Sequence, residues 1–164
     1  MNRSLGVLLL ISLLSPGIAS AEDRLNIRTN PLMALGTVVN LEVDVRLGER
    51  WALGPVLSAN GTEPDYHVGL RLNRYETGTF DQGWLLSMAA TGGSELGDYK
   101  VVNDVYTDER DRGWKAALGL NQAYLWRWDT FNTTVGLGAR VEYHELQDRL
   151  SLHSDVHFSI GWIR

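Results

Sequence analysis

The stretch VVNLEVDVRL, residues 38–47, alternates between apolar and polar side chains. Asn40, Glu42, Asp44 and Arg46 take every second position, with valines and leucines between them. Because successive side chains of a β-strand point to opposite faces of the sheet, this pattern predicts a strand with one polar and one apolar face. A soluble sandwich turns the polar face to water, whereas an outer-membrane barrel turns the apolar face to lipid and the polar face to its lumen.

The N-terminus predicts export. Arg3 precedes the apolar run LGVLLLISLL, residues 5–14, and an A-x-A cleavage site follows at residues 19–21. This combination is typical of a secretory signal peptide, so we expect residues 1–21 to be removed and residues 22–164 to form one domain. The alternative is an N-terminal membrane-anchoring helix, for which the run is short.

The composition excludes several classes of protein. The chain has no cysteine, so it forms no disulfide and no lipoprotein, zinc–thiolate or iron–sulfur site. Its formal net charge is −5 and no basic patch occurs, which argues against a nucleic-acid partner. After residue 16 no apolar run is long enough for a transmembrane helix, so any membrane insertion must use strands. We expect no cofactor.

Alternation recurs along the whole chain and predicts eight strands. They cover residues 25–30, 38–47, 51–60, 65–73, 83–91, 114–128, 131–144 and 152–163. Tight turns at 48–50 and 129–130 connect strands at one end of the predicted barrel. At the other end we expect a short loop at 31–36 and one long loop at 92–112. An even strand number returns both termini to the same side. The sequence therefore predicts an all-β fold, an eight-stranded antiparallel up-and-down transmembrane β-barrel.

The polar faces of these strands predict a lumen filled by paired charges, because an unpaired charge away from bulk water is costly. Glycine and serine on the same faces suit the narrow interior of an eight-stranded barrel, which side chains fill without leaving a wide pore. The predicted structural network comprises Arg28, Glu42, Asp44, Arg46, Arg71, Lys115, Arg127, Arg140, Glu142 and Asp155.

Aromatic residues concentrate at the strand ends and predict two girdles at the two membrane interfaces. One girdle, at the periplasmic ends, comprises Trp51, Trp84, Trp126, Trp128, Phe131 and Trp162, and the other, at the outer ends, comprises Tyr66, Trp114 and Tyr143. The alternative is that these aromatics form the core of a soluble, lipocalin-like calyx.

The segments NIRTNPL and VVNLEVDVRLGERWALGPVLS resemble the opening of a family of small bacterial outer-membrane β-barrels of unassigned function. Residues 29–32 (Thr-Asn-Pro-Leu) fit its first element and residues 51–53 (Trp-Ala-Leu) its last, while Asp44 stands where the family has glutamate. The resemblance covers about the first forty residues after the leader. It implies the outer membrane of a Gram-negative bacterium, with lipid and the barrel-assembly machinery as partners. Such barrels usually end in an aromatic residue, whereas this chain ends FSIGWIR.

The strongest catalytic candidates are His157 and Ser159. Small barrels that deacylate lipid A use a histidine and a serine two residues apart on an outward face. Here the period of two turns both side chains inward, with His153 and Asp155, away from a lipid substrate. We therefore expect a structural role for them, and no catalytic residue. Together with His144 the histidines show no spacing diagnostic of a metal site, and we expect none.

The sequence favours a monomeric outer-membrane barrel with a closed polar lumen and a structural or surface-interaction role. The long loop 92–112 would contact a surface ligand. Two alternatives remain open: a lipid A-modifying enzyme using His157 and Ser159, and a soluble periplasmic carrier of an apolar ligand.

Overall fold

The computed structural model describes residues 23–62, 65–102 and 105–164, with only the backbone described for 98–102 and 105–109. The predicted signal peptide lies outside the described residues. Eight strands form one closed antiparallel barrel in which each strand pairs with the next and β8 pairs with β1, which confirms the predicted all-β, up-and-down topology. The strands are β1 (Leu25–Thr29), β2 (Val38–Arg46), β3 (Trp51–Asn60), β4 (Tyr66–Tyr75), β5 (Gly83–Val102), β6 (Val105–Trp128), β7 (Phe131–His144) and β8 (Arg149–Ile163).

The two faces of the sheet are opposite in character. On β2, Asn40, Glu42 and Asp44 are buried inside the barrel, whereas Val39 and Val45 are exposed on its outer surface. The same alternation holds on the other strands, so polar side chains line the lumen and large apolar side chains cover the exterior.

The prediction of a long loop at residues 92–112 is wrong, because β5 and β6 continue into this region as paired strands. Their pairing runs from Gly83 opposite Leu125 to Val102 opposite Val105, with irregularities around Tyr99. Among the described residues β4 pairs with β5 only as far as Gly93, and β7 pairs with β6 only as far as Lys115. Beyond the barrel rim a strand no longer separates a polar lumen from an apolar exterior. The amphipathic period is lost there while the backbone ladder continues.

We call residues 94–114, with the connection that they contain, the β5–β6 hairpin, and the end of the barrel from which it extends the hairpin end. The opposite end is the terminal end, where the backbone N–H groups of Arg24 and Leu25 each donate to the carbonyl of Arg164 at 2.7 Å.

The loop predicted at residues 31–36 contains a one-turn helix, α1 (Pro31–Leu35), which joins β1 to β2. Asn30 caps it by accepting from the backbone N–H groups of Leu32 and Met33 at 3.0 and 3.3 Å. Proline at the first helical position has no N–H group to leave unsatisfied, and Asn30 satisfies two of the others. A sequence pattern of one turn is too short to reveal the 3.6-residue period of a helix.

Strand bounds differ from prediction mainly where a strand continues past the predicted alternation. β4 extends through Tyr75 and β8 begins at Arg149, whereas β3 and β7 have the predicted bounds. The extension of β4 matters because it brings Tyr75 into the barrel, where its side chain is almost completely buried.

An apolar cluster fills the barrel near the terminal end, and we call it the terminal plug. Its rings, Tyr75 and Phe80, meet edge to face with centroids 5.7 Å apart. Phe80 adopts a φ of 68°, a left-handed backbone conformation that is strained for a bulky residue, and its complete burial offsets this cost. The plug comprises Ala52, Tyr75, Phe80, Leu85, Ala123, Leu125 and Ile163.

Inward glycines allow neighbouring strands to approach closely. A Cβ atom on Gly54 would lie 1.5 Å from the carbonyl oxygen of Val43, and one on Gly161 would lie 2.5 Å from Cγ of Arg28. These contacts explain why glycine recurs on the polar face, since a side chain at either position would displace backbone or the buried arginine.

Candidate functional site

A layer of four charged residues lies in the lumen. Arg28 Nη2 is 2.7 Å from Asp44 Oδ2 and 3.1 Å from Glu42 Oε2, and Arg71 Nη1 is 2.6 Å from the same oxygen of Glu42. Arg28 is directly opposite Glu42 in the β1–β2 pairing, and Asp44 follows on the same face two residues later. Two cations and two anions balance one another, as buried charges require.

His157 and Ser159 face into the same layer. Ser159 Oγ lies 3.2 Å from His157 Nε2, and the other ring nitrogen, Nδ1, lies 3.4 Å from Arg71 Nη1. A catalytic triad places a carboxylate at that second nitrogen, whereas here a guanidinium occupies the position. Ser159 is 0% exposed. The arrangement orders lumen side chains and leaves the serine hydroxyl inaccessible from the outer face of the barrel.

A cavity of about 280 Å³ occupies the lumen between this layer and the hairpin end. It reaches from Arg71 and His157 to Met33 of α1 and to Asn60 at the end of β3. The space exists because four neighbouring strands carry small inward side chains. These are Val56 and Ser58 on β3, with Gly69 on β4, then Ala89 and Thr91 on β5, and Ala117 and Gly119 on β6.

Two ion pairs line the cavity. Lys115 Nζ lies 3.2 Å from Asp65 Oδ2, and Arg140 Nη2 lies 3.2 Å from Glu142 Oε2. Arg140 is exposed while Glu142 is buried. All four side chains line the cavity.

Asp155 is the lumen carboxylate that differs from the others. Its Oδ2 accepts a hydrogen bond from the side-chain amide of Asn121 on β6. Among the described residues no basic group pairs with Asp155. It faces the small-residue wall of the cavity, 4.0 Å from the position that a Cβ atom of Gly119 would take.

The base of the β5–β6 hairpin is fixed to the turn between β7 and β8. His144 lies between two carboxylates, 2.6 Å from Glu95 and 3.3 Å from Glu142. The backbone N–H of Trp114 donates to the side chain of Glu145 at 2.9 Å. The side chain of Leu146 in that turn packs against Gly113, so closely that a Cβ atom on this glycine would lie 2.7 Å from Cγ of Leu146.

Arg46 and Arg127, predicted in the lumen network, lie at the terminal end instead. Arg46 Nε donates to the carbonyl of Gly48 at 3.2 Å. Arg127 Nη2 lies 2.6 Å from Asp23 Oδ2, and its Nη1 lies 3.7 Å from Asp81. Both arginines lie at strand ends, closer to the terminal end than the layer of charged residues in the lumen. The structure brings together Arg28, Glu42, Asp44 and Arg71, and places Lys115, Arg140, Glu142 and Asp155 around the cavity.

The aromatic residues predicted at the strand ends lie in two outer rings. At the terminal end Phe131 contacts Trp128 and Trp162, with ring centroids 6.0 and 5.7 Å apart, and Tyr124 contacts Trp84 and Trp126 at 5.3 and 4.7 Å. Trp51 completes this ring beneath Arg74 at 6.0 Å. At the hairpin end Trp114 contacts Tyr143 at 5.3 Å, and Tyr66 is exposed nearby.

The sequence prediction missed three groups of residues. Tyr124 belongs to the terminal ring, Tyr75 and Phe80 to the plug, and Glu95 to the hairpin base. The parity of alternation was a usable signal for Tyr75, since it follows Arg71 and Asn73 at steps of two. Phe80 lies between strands and had no such signal.

Among the described residues no group of three or more histidine, aspartate or glutamate side chains is placed to hold a metal ion. Within the same part of the chain, no helix has both the length and the apolar character needed to cross a membrane.

The fold and the lumen define a closed eight-stranded β-barrel with a polar interior and an apolar exterior. Residues 7–154 match the family described as "Protein of unknown function (DUF3575)", and the chain belongs to this family. No curated protein and no solved structure shows significant similarity to the chain.

Proposed function

We propose that this protein is an outer-membrane β-barrel of a Gram-negative bacterium, exported by the leader at residues 1–21. The observation that carries the proposal is the distribution of polarity. Leu137 and Leu152 are 68% and 74% exposed on the outside, whereas Arg28 inside is 1% exposed. Exposing such an apolar exterior to water is unfavourable, whereas exposing it to lipid is not. A lipocalin-like carrier requires the reverse arrangement, with apolar residues lining the cavity.

The separation of the aromatic rings supports the same proposal. On β7, Tyr143 lies twelve residue steps along the chain from Phe131, and on β6 Trp126 lies twelve steps from Trp114. At about 3.3 Å per residue this is a path of about 40 Å, which a strand tilt of about 45° reduces to about 28 Å along the membrane normal. The apolar band of outer-membrane barrels is about 25 Å tall, so the two rings suit the two interfaces.

We infer a structural or surface-interaction role for the barrel, acting as a monomer, rather than transport. The terminal plug obstructs the lumen, which leaves the lumen cavity and the β5–β6 hairpin as the features able to meet a partner. Beyond Gly93 and Lys115 the hairpin has no neighbouring strand among the described residues. A strand pair that projects in this way can bind an extended segment of another protein by strand addition. Membrane lipid and the barrel-assembly machinery complete the proposed partners, and the resemblance of the opening residues to small outer-membrane barrels supports this assignment.

Fractionation followed by electrophoresis tests the proposal. We expect the protein in the outer-membrane fraction, and we expect its unboiled form to migrate differently from its boiled form, because a closed barrel resists detergent until it is heated. A soluble periplasmic protein whose migration is unchanged by boiling would contradict the proposal. A membrane-bound protein whose boiled and unboiled forms migrate at the same position would contradict a stable barrel in lipid.

Single cysteines test which end of the barrel faces outward, since the native chain has none. Gln147 lies exposed in the turn beside the β5–β6 hairpin, and Thr130 lies exposed in the turn at the terminal end. We expect a membrane-impermeant maleimide to label Gln147→Cys on intact cells and Thr130→Cys only after lysis. Labelling of Thr130→Cys alone on intact cells would reverse the proposed orientation.

A further inference from the structure

We propose that the lumen cavity binds a small organic cation carrying a primary ammonium group, with Asp155 as its anchor. This binding site goes beyond the structural role proposed above. It rests on the cavity, on Asp155 as a lumen carboxylate without a basic partner among the described residues, and on buried acceptor atoms that these residues leave unsatisfied.

The first step is the charge balance around the cavity. Four carboxylates line it, those of Glu42, Asp65, Glu142 and Asp155. The lysine and arginine side chains are three, Arg71, Lys115 and Arg140, and two histidines, His67 and His157, also line the cavity. Each lysine or arginine group is within 3.2 Å of one of the first three carboxylates, which leaves Asp155 with only the neutral amide of Asn121. A cationic ligand compensates this charge, whereas an anionic ligand adds to the imbalance.

The second step is the set of unsatisfied atoms. Asn40 is only 7% exposed, lines the cavity, and its Oδ1 accepts no hydrogen bond. Asp65 Oδ1 also accepts none, although His67 Nε2 lies 3.7 Å away, and Glu142 Oε2 accepts none beyond its ion pair with Arg140 at 3.2 Å. Compared with these three acceptor atoms, the cavity lining has one buried donor atom without a hydrogen bond, Nε of Arg71. The ligand must therefore supply donors, and an ammonium group supplies three.

The third step is size and access. A volume of about 280 Å³ lies just below the range of typical ligand pockets, about 300–1,000 Å³, so the cavity suits a small molecule. Val56, Ala89 and Ala117 give one wall an apolar surface that fits a short carbon chain. Because the terminal plug fills the opposite end, the ligand enters from the hairpin end.

Titration with ethanolamine tests the site, using the full-length mature protein folded in detergent micelles and observed by NMR. We expect saturable shifts of the Asn121 side-chain amide and of the backbone amides of Ala117 and Gly119. Asp155→Asn keeps the shape of the side chain and removes its charge, so we expect it to weaken binding at least tenfold. Its electrophoretic shift on heating should remain, which shows that the barrel still folds.

The matched control is Asp148→Asn, which removes the same charge from the exposed turn at the hairpin end. Asp148 has a φ of 44°, a conformation that asparagine tolerates, so we expect ethanolamine binding to be unchanged. Three outcomes would overturn the proposal: no shift in the unsubstituted protein, equal affinity in Asp155→Asn, or equal shifts with calcium chloride at the same ionic strength. The last would assign the site to an inorganic cation.

Discussion

Replacing Arg28 by methionine is expected to lower the free energy of unfolding by about 3–5 kcal/mol, the usual cost of removing one partner of a buried ion pair. Arg28 is the cation that contacts both Asp44 and Glu42, at 2.7 and 3.1 Å. Methionine fills similar space but leaves Asp44 buried with no cation in contact. Glu42 is affected less because Arg71 remains 2.6 Å away.

Urea unfolding of the protein in lipid vesicles measures this effect, with the double variant Arg28→Met and Asp44→Asn as the decisive comparison. The double variant removes the cation together with the carboxylate that depends on it, so we expect it to recover at least half of the lost stability. Arg74→Met, on the outer surface, is the control for loss of an arginine, and we expect it to cost less than about 1 kcal/mol. A cost for Arg28→Met equal to that of Arg74→Met would show that the lumen charges do not stabilise the barrel.

Placing arginine at Leu137 is expected to destabilise the barrel in lipid by about 2–4 kcal/mol. Leu137 is outward on β7, midway between Phe131 in one aromatic ring and Tyr143 in the other. An arginine there would put its charge near the midplane of the bilayer, from which the side chain has the longest path to either interface.

Leu150→Arg is the matched control, because the two leucines are almost equally exposed, at 68% and 69%. Leu150 lies opposite Tyr143, at the level of the ring at the hairpin end, where an added arginine costs about 0–1 kcal/mol in lipid. If the exterior met water, the two substitutions would have the same small effect. Equal urea midpoints for the two variants in vesicles would therefore contradict membrane insertion.

Much of the fold could be predicted from the sequence because each barrel strand separates two environments. Polar residues at steps of two from Asn40 to Asp44 indicate both the strand and the side that faces the lumen. The prediction failed where that contrast ends. Past Gly93 and Lys115 the hairpin has no lumen, so its strands show no alternation, although they are paired. The one-turn helix at Pro31–Leu35 was too short to show a period.

The candidate site was less predictable, because a face assignment does not say which side chains meet. Alternation predicts that Arg28, Glu42 and Asp44 point inward, but the level of each along the barrel depends on the strand register. The sequence therefore gave no means of separating Arg127, which pairs with Asp23 at the terminal end, from Arg71 in the central layer. Nor does it show that Asp155 lacks a cation, since this depends on how the other strands pair with β8.

The terminal plug makes formation of the apolar core and closure of the sheet a single event. Its members come from β3, β4, β5, β6 and β8, and from Phe80 between two strands, so no hairpin contains it. Ile163, one residue from the end of the chain, is fully buried in it, and β8 pairs there with β1. A chain still lacking its last strand has neither a closed edge nor a complete core. Folding is therefore expected to be cooperative and limited by contacts between distant parts of the chain, because β8 must pair with β1 to complete both.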